Sequence, residues 1–394
     1  MSLAPSELAD IGRRGGLHAV GFCTAEPFTE TAETLTRRKQ AGLHGGMQFT
    51  YRNPRRSTDP QRLLPGAAAI VVGAVEFDAQ PVDLREEPAA SPEDADSHKN
   101  PAAGGSRAEA AAGPFARVAA YARSDYYAVL RSGLEAVAEA LRACGHKAVV
   151  SADSNAMVDR AAAHRAAVGW WGKNSNILVP GLGSLVVLGS VVTDAVIVAS
   201  DPEPLEDGCG NCRKCLDGCP TGAIVAPGTV DARRCLAWLV QAEGVFDPDC
   251  RVALGDRIYG CDDCSEVCPP NRVRLRRSSD PGPADQQPRV DLLDLLESSD
   301  DELLARFGRW YIPRRQPRYL RRNALVVLAN VADPGDPRVR AAVARALRDP
   351  DPLIRAHGVW CARRLGLGLS GLQGADDPMV RDELRRAVPP RAAA

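Results

Sequence analysis

The spacing of the cysteines constrains this chain more than any other feature of its sequence. Nine of the 12 cysteines lie between residues 209 and 268, and seven of these form two sets with spacings of three or four residues. The first four of these form the pattern C-x2-C-x2-C-x3-C-P, in which three cysteines bind one 4Fe–4S cluster and the fourth binds another. Such a pattern rarely arises by chance, and it predicts a ferredoxin-like module with two clusters. Its members are Cys209, Cys212, Cys215 and Cys219, followed by Pro220.

The second set of cysteines is one short of a full repeat. Cys261, Cys264 and Cys268 repeat the spacing, but Ile258 stands where a complete copy would begin. We predict that Cys235 supplies the missing ligand. Exchange of the fourth ligand between the sets then assigns a first cluster to Cys209, Cys212, Cys215 and Cys268, and a second cluster to Cys219, Cys235, Cys261 and Cys264.

Zinc is the alternative interpretation, because C-x2-C pairs also bind zinc. Three closely spaced cysteines followed by Cys-Pro, occurring nearly twice, fit an iron–sulfur cluster better than a tetrahedral zinc site. Disulfides are not expected, since crowded cysteines in a reducing cytoplasm indicate metal ligation. The other cysteines lack partners at ligand spacing and are predicted to be core or inert thiols; they are Cys23, Cys144, Cys250 and Cys361.

Composition places the chain among ordinary globular proteins. Its 394 residues, 45% of them hydrophobic, suffice for two or three domains with cores of their own. The 49 basic and 50 acidic residues nearly cancel, so no overall field points to nucleic acid or membrane. No run approaches the roughly 18 apolar residues of a spanning helix. In an export signal, a continuous apolar stretch would follow a basic pair such as Arg13 and Arg14, but here Gly15 and Gly16 follow it. We therefore expect a cytoplasmic protein.

Apolar patterning divides the chain into three predicted domains. Residues 1–200 alternate helical and strand-like stretches, which predicts an α/β domain. Within this domain, residues 79–113 have almost no large apolar residues and are predicted to be a disordered insertion. Residues 201–277 form the cluster module, 278–289 a linker, and 290–394 short helices separated by Asp-Pro turns, typical of helical repeats. In the first domain the pattern predicts helices at 6–15, 29–41, 126–143 and 156–167, and strands at 67–75, 147–151, 184–188 and 191–199.

Several short motifs resemble one enzyme family over most of the chain outside the insertion and the extreme C-terminus. The motifs are His44-Gly45-Gly46-Met47, Leu63-Leu64-Pro65-Gly66, Tyr121-Ala122-Arg123-Ser124-Asp125-Tyr126, Gly169-Trp170-Trp171-Gly172-Lys173-Asn174, Asp231-Ala232-Arg233-Arg234-Cys235, Arg257-Ile258-Tyr259-Gly260-Cys261-Asp262-Asp263-Cys264 and Arg321-Arg322-Asn323-Ala324. Together they resemble epoxyqueuosine reductases, the cobalamin-dependent enzymes of tRNA queuosine synthesis.

The resemblance implies an architecture, a reaction and its partners. It implies an α/β N-terminal cobalamin-binding domain, a ferredoxin-like domain with two 4Fe–4S clusters, and C-terminal all-α HEAT-like helical repeats that help to hold tRNA. The implied reaction reduces epoxyqueuosine to queuosine at the wobble position of tRNA, with electrons passing through the clusters to cobalamin. An external donor of the flavodoxin or ferredoxin type would supply the electrons to a monomeric enzyme.

The resemblance also implies a proton donor, Asp153. It opens the family's D-x-x-P-x-x-E-R motif, from which this chain departs because Ala156 replaces proline and Asp159 replaces glutamate. The residues alone favour a different role, since an aspartate before a helical run is a common N-cap. The 79–113 insertion is a further departure from the family pattern.

Two sets of binding residues complete the predictions. The resemblance suggests that residues 173–188 line the corrin ring and that Arg234 reaches its polar side chains; the candidates are Lys173, Asn174, Ile177, Leu188 and Arg234. Residues 306–364 contain fourteen arginines against four aspartates, which predicts an RNA-binding tail. Its candidate contacts are Arg314, Arg315, Arg321 and Arg322, and a solvated or domain-docking face is the alternative.

Two other functions are alternatives to epoxyqueuosine reduction. A corrinoid reductive dehalogenase shares cobalamin and two clusters, but usually has an export signal and lacks a helical-repeat tail. An iron–sulfur electron-transfer protein that serves a partner enzyme would leave residues 1–200 and the tail without a role. The sequence favours the epoxyqueuosine reductase reaction over both.

Overall fold

The structure is a computed structural model that describes residues 3–80, 113–277 and 285–389, so most of the predicted insertion and linker lies outside the described residues. The helices are α1 (Pro5–Arg14), α2 (Thr29–Gln40), α3 (Phe49–Arg52), α4 (Pro54–Ser57), α5 (Tyr126–Ala143), α6 (Asp159–Arg165), α7 (Lys214–Asp217), α8 (Leu236–Leu239), α9 (Arg251–Leu254), α10 (Asp263–Glu266), α11 (Pro269–Arg277), α12 (Leu292–Glu297), α13 (Asp300–Phe307), α14 (Arg318–Val331), α15 (Pro337–Ala346), α16 (Pro352–Arg364) and α17 (Pro378–Arg385). The strands are β1 (Ala19–Thr24), β2 (Ala69–Glu76), β3 (Phe115–Val118), β4 (Ala148–Ala152), β5 (Trp170–Trp171), β6 (Ile177–Leu178), β7 (Val186–Thr193), β8 (Ile224–Ala226), β9 (Thr229–Val230), β10 (Arg257–Tyr259) and β11 (Arg289–Asp291). Within the described ranges, no helix is both long and apolar enough to cross a membrane.

The N-terminal part is built on a four-stranded antiparallel sheet in the order β1-β2-β7-β4. Alternate side chains of β2 point to opposite faces, as in any strand. Ile70 and Val72 pack in the cluster that includes α6, whereas Val71 and Val75 pack against α1 and α5. Helices therefore cover both faces of the sheet, which agrees with the predicted mixed α/β fold.

Two local predictions in this part were wrong. The strands predicted at 184–188 and 191–199 are one strand, β7, because Gly189 and Ser190 continue the ladder instead of ending it. Gly189 is small where α5 approaches, and a Cβ atom there would lie 2.9 Å from the side chain of Leu134. The helix predicted at 156–167 begins later, at Asp159, and ends at Arg165.

A second sheet joins the three predicted domains. Strand β3 pairs with β10 in parallel and with β11 in antiparallel orientation. β10 belongs to the predicted cluster module and β11 to the start of the predicted tail, whereas β3 precedes both by more than a hundred residues in the sequence. The domain boundaries thus remain an interpretation of the sequence, since one sheet crosses them.

The Asp-Pro pairs of the tail begin helices. Asp336, Asp351 and Asp377 are the N-caps of α15, α16 and α17, and each side chain accepts a hydrogen bond from a backbone amide in the first turn. The following prolines occupy the first helical position, where no hydrogen bond is lost. These caps set the short, regular helices that the sequence predicts for this region.

The tail and the cluster module share one hydrophobic core. Leu236 and Phe246 of the module pack in the same cluster as Leu328 and Trp360 of the tail. A buried ion pair also joins them: Arg251 donates to both carboxylate oxygens of Glu383, at 2.8 and 3.1 Å. Both side chains are buried, at 0% and 3% exposed.

We expect Glu383→Gln to destabilise the protein by about 3–5 kcal/mol, because Arg251 would remain buried without its counter-charge. Urea unfolding of the anaerobic holoprotein, followed by circular dichroism, measures the change. The matched control is Glu297→Gln, which removes an exposed ion pair with Arg345 and should cost at most about 1 kcal/mol. Equal midpoints for the two variants would show that the buried pair does not hold the tail.

Candidate active site and cluster sites

The structure brings the eight predicted cluster ligands together in the two predicted groups. The thiol of Cys268 interacts electrostatically with three others, those of Cys209, Cys212 and Cys215. Cys264 interacts in the same way with Cys219 and Cys235, and Cys261 with Cys264. All eight are free and partly buried.

The buried surroundings of these thiols favour a bound cation. Burial raises the pKa of Cys264 to about 12 and that of Cys268 to about 11, so the free thiols would be neutral at pH 7. Iron binds the thiolate form, and its positive charge can compensate for the lost solvation. Among the described residues, no three His, Cys, Asp or Glu side chains have the spacing of a site for a single metal ion. Ligands of a 4Fe–4S cluster are more widely spaced, because each binds a different iron.

A cavity of about 80 Å³ lies between the first group of cysteines and the segment 172–178. Lys173 reaches from this segment to the cysteine loop, where its ammonium donates to the carbonyl oxygens of Gly210 (2.5 Å) and Cys212 (3.0 Å). Lys173 is therefore not a solvated loop residue. It fixes the segment against the loop of the first cluster.

The other predicted cofactor contacts differ in accessibility. Asn174 is buried and lines the same cavity. Ile177 and Leu188 are also buried, at 2% and 9% exposed, in the core beside α6. This corrects the prediction for these two, which support the site from the core instead of facing a cofactor. Arg234 is exposed, with its guanidinium near Gly222.

Asp153 follows β4 and is not a helix cap. The N-cap of α6 is Val158, five residues later, so the structure removes the N-cap interpretation of Asp153. Its backbone is left-handed, with φ of 50°, a conformation that aspartate tolerates better than most residues. The side chain reaches solvent, yet the protein around its carboxyl raises the pKa of Asp153 by desolvation, and the nearby charge of Arg131 lowers it. The balance favours the protonated acid.

A second carboxyl lies beside it. One oxygen of Asp159 is buried and has no hydrogen-bond partner among the described residues. Burial, and then the charge of Asp153, raise the pKa of Asp159 well above its usual range. The charge of Arg160 opposes this shift at Asp159.

Three tyrosines that sequence reasoning missed interact electrostatically with Asp153 or with Cys235 of the second group. Burial raises the pKa of Tyr127 and Tyr259, and the charge of Asp153 contributes to both shifts. Tyr121 interacts electrostatically with these two tyrosines and with Cys235. Only Tyr121 and Tyr259 lie in quoted motifs, and no spacing rule relates the three, so the sequence alone could not group them.

The predicted RNA contacts of the tail need correction. Arg322 is fully buried, and it donates to backbone carbonyls of the module, including those of Leu239 and Ala242. Burial lowers the pKa of Arg322 to about 9, which leaves it charged at neutral pH but unable to reach a phosphate. Arg321 is mostly buried and pairs with Asp300 at 2.5 Å.

Most of the remaining tail arginines are also engaged within the protein. Thirteen of the fourteen donate to carboxylate, amide, hydroxyl or carbonyl oxygens. Carboxylates from outside residues 306–364, such as Glu243 and Glu297, offset part of the positive charge. Of the four predicted contacts, Arg314 and Arg315 are exposed; Arg314 pairs with Glu243, and Arg315 donates to the carbonyl of Gly308.

Comparison with known proteins places the cysteines in a described family. A model of the 4Fe-4S double cluster binding domain matches residues 208–271, which contain all eight predicted ligands. The chain is 33% identical to epoxyqueuosine reductase of Pseudomonas aeruginosa, over 92% of this chain and 96% of that protein. It is 32% identical to epoxyqueuosine reductase of Bacillus cereus, over 89% and 86%.

Solved structures are similar over nearly the whole chain. One is a crystal structure of epoxyqueuosine reductase with an epoxyqueuosine-modified stem loop of tRNA-Tyr, at 28% identity and a TM-score of 0.78 over 98% of this chain and 94% of that one. Another is epoxyqueuosine reductase from Streptococcus thermophilus, at 25% identity and a TM-score of 0.79 over 96% of each chain.

Proposed function

The chain belongs to the epoxyqueuosine reductase family, and on that premise we propose that it reduces epoxyqueuosine to queuosine in tRNA. The net change consumes two electrons and two protons, and it releases the epoxide oxygen as water. The observation that carries the proposal is the carboxyl of Asp153, which has a raised pKa and interacts electrostatically with Tyr259, whose ring centroid lies 6.4 Å from that of Tyr121. A proton donor beside an electron path is what reductive opening of an epoxide needs.

Two 4Fe–4S clusters would carry the electrons, held by the two groups of thiols. Electrons would enter from an external flavodoxin or ferredoxin and pass singly between the clusters. The enzyme would act as a monomer. Lys173 keeps the loop of the first cluster in place through its bonds to two carbonyls.

Cobalamin fits the residues around segment 169–174. Buried nitrogens of His44, Trp170 and Asn174 have no hydrogen-bond partner among the described residues, and such atoms can bind the polar side chains around a corrin ring. Arg234, exposed beside Cys235, would bind such groups from the cluster module. When bound, cobalamin would supply the strongly reducing metal centre that delivers the electrons to the epoxide.

Residues of the chain itself would hold and donate the proton. Desolvation raises the pKa of Asp153, which favours its protonated form, and this acid would donate its proton to the epoxide oxygen as the carbon–oxygen bond breaks. Burial and the charge of Asp153 raise the pKa of the neighbouring Asp159 and favour its protonated form.

The test is a single-turnover assay with anaerobically purified protein, reconstituted with iron, sulfide and cobalamin. After photoreduction, an epoxyqueuosine-containing stem loop should be converted to the queuosine form, with cobalamin retained after gel filtration. Protein that retains both clusters but no cobalamin, and leaves the RNA unchanged, would instead be an electron-transfer protein. Dehalogenation of an aryl halide with no change in the RNA would assign it to the other corrinoid class.

A further inference from the structure

Unpaired positive charge lies in the N-terminal part of the molecule, between β1 and β2. Residues 37–62 contain seven basic residues against one carboxylate, Asp59. The side chains of Arg52, Arg55 and Arg56 are exposed, and among the described residues none of the three has an ion pair or a side-chain hydrogen bond. They differ in this from most of the tail arginines, which donate hydrogen bonds within the protein.

The backbone that carries these arginines is fixed against the loop of Asp153. Ser57 is buried, and its hydroxyl donates to the carbonyl of Asn155 at 2.6 Å. The side chain of Asn53 caps helix α4 by accepting from the amide of Arg56. Arg55 and Arg56 therefore lie on the short helix α4, whose last residue, Ser57, contacts the loop of Asp153.

The same segment is also fixed to the loop of the second cluster. The amide of Ala232 donates to the carbonyl of Leu43 at 2.8 Å, and the indole of Trp238 donates to the carbonyl of Gly45 at 2.8 Å. Residues 43–57 thus connect the Cys235 loop with the Asp153 loop. They therefore lie against both loops that the proposed reaction uses.

We propose that Arg52, Arg55 and Arg56 bind the phosphates that flank the reacting nucleotide of the tRNA. This inference rests on the proposed function. An enzyme that reacts with a base must bring that nucleotide into its site, so the adjoining phosphates pass along the rim. Guanidinium groups suit phosphate because they offer paired donors, and groups free of internal partners lose no bond on binding. Phosphate contacts of this kind position the strand without reading its sequence.

The experiment measures binding of the holoenzyme to an epoxyqueuosine-containing anticodon stem loop by fluorescence anisotropy at several salt concentrations. We expect the double variant Arg55→Glu with Arg56→Glu to bind at least about tenfold more weakly. The slope of the logarithm of affinity against the logarithm of salt concentration should become less steep by about one unit for each lost phosphate contact. Iron content and retained cobalamin should match those of the wild type, which shows that the site is intact.

The matched control is the double variant Arg13→Glu with Arg14→Glu. It makes the same charge change on α1, which covers the opposite face of the sheet from α6. Normal affinity and slope in the Arg55 and Arg56 variant would overturn the proposal, and so would equal weakening in both double variants. If the wild type reduces the stem loop while the variant binds it normally, only this inference fails. If the wild type neither binds nor reduces it, the proposed function fails.

Discussion

Replacing Asp153 by asparagine is expected to slow epoxide reduction by about 10²–10⁴-fold in a single-turnover assay. Asparagine keeps the size and polarity of the side chain but has no acidic proton to give. Opening an epoxide places negative charge on the departing oxygen, and without a nearby acid that charge must be stabilised by water. Clusters, cobalamin and RNA affinity should be unchanged, because Asp153 caps no helix and ligates no metal.

The pH profile provides a second readout of the same residue. Desolvation raises the pKa of Asp153, and only its protonated form can donate. The single-turnover rate of the wild type should therefore be high below this raised pKa and fall as the pH rises through it. The residual rate of the Asp153→Asn variant should lack that step.

Asp125 offers a matched control for this substitution. It is the N-cap of α5, where its side chain accepts from the amide of Ala128 at 2.9 Å. Asparagine caps a helix about as well as aspartate, so Asp125→Asn should keep nearly full activity. A near-normal rate in Asp153→Asn would mean that another group is the acid, and Asp159→Asn would then be the next variant.

Replacing Cys235 by serine should remove the second cluster while leaving the first. Anaerobic reconstitution of the wild type should give about eight irons and eight sulfides per chain, and the variant about four of each. The loss follows from the proximity of Cys235 to Cys219 and Cys264. Iron analysis and electron paramagnetic resonance of the reduced protein would measure it. Turnover with an external donor should be abolished.

Cys250 is the control, because its thiol also interacts with that of Cys219. Burial raises the pKa of Cys250 to about 11, and the sequence places it outside the ligand pattern. Cys250→Ser should retain about eight irons. If Cys235→Ser keeps both clusters and Cys250→Ser loses one, then Cys250 is the ligand. About four irons or stoichiometric zinc in the wild type would contradict the two-cluster assignment itself.

The sequence predicted best what depends on short-range spacing. The cluster cysteines follow a local pattern, and the family match over 208–271 agrees with it. Helix α5 begins and ends where its periodicity predicts, at Tyr126 and Ala143. The Asp-Pro pairs lie between the tail helices as predicted, and Asp336 and Asp351 also cap the helices that follow them, because a capping aspartate and a proline at the first position act within one turn.

What the sequence could not predict depends on contacts between distant residues. Counting arginines suggested an exposed basic tail, but Arg322 is buried because carbonyls some eighty residues earlier accept its hydrogen bonds. In the same way, nothing local in β3 shows that it pairs with β10 and β11. The unpartnered oxygen of Asp159 and the tyrosines around Asp153 are properties of tertiary packing, which a single sequence does not specify.

The burial of Arg322 has a consequence for how the enzyme is made. The ribosome releases the cysteine loops before the helix that carries Arg322. The carbonyls of Leu239 and Val240, just after Cys235, therefore gain the guanidinium of Arg322 as a donor only after α14 has been synthesised. The pair of Arg251 and Glu383 forms later still, because Glu383 lies on α17. The cysteine module thus acquires its full set of contacts only when nearly the whole chain has left the ribosome.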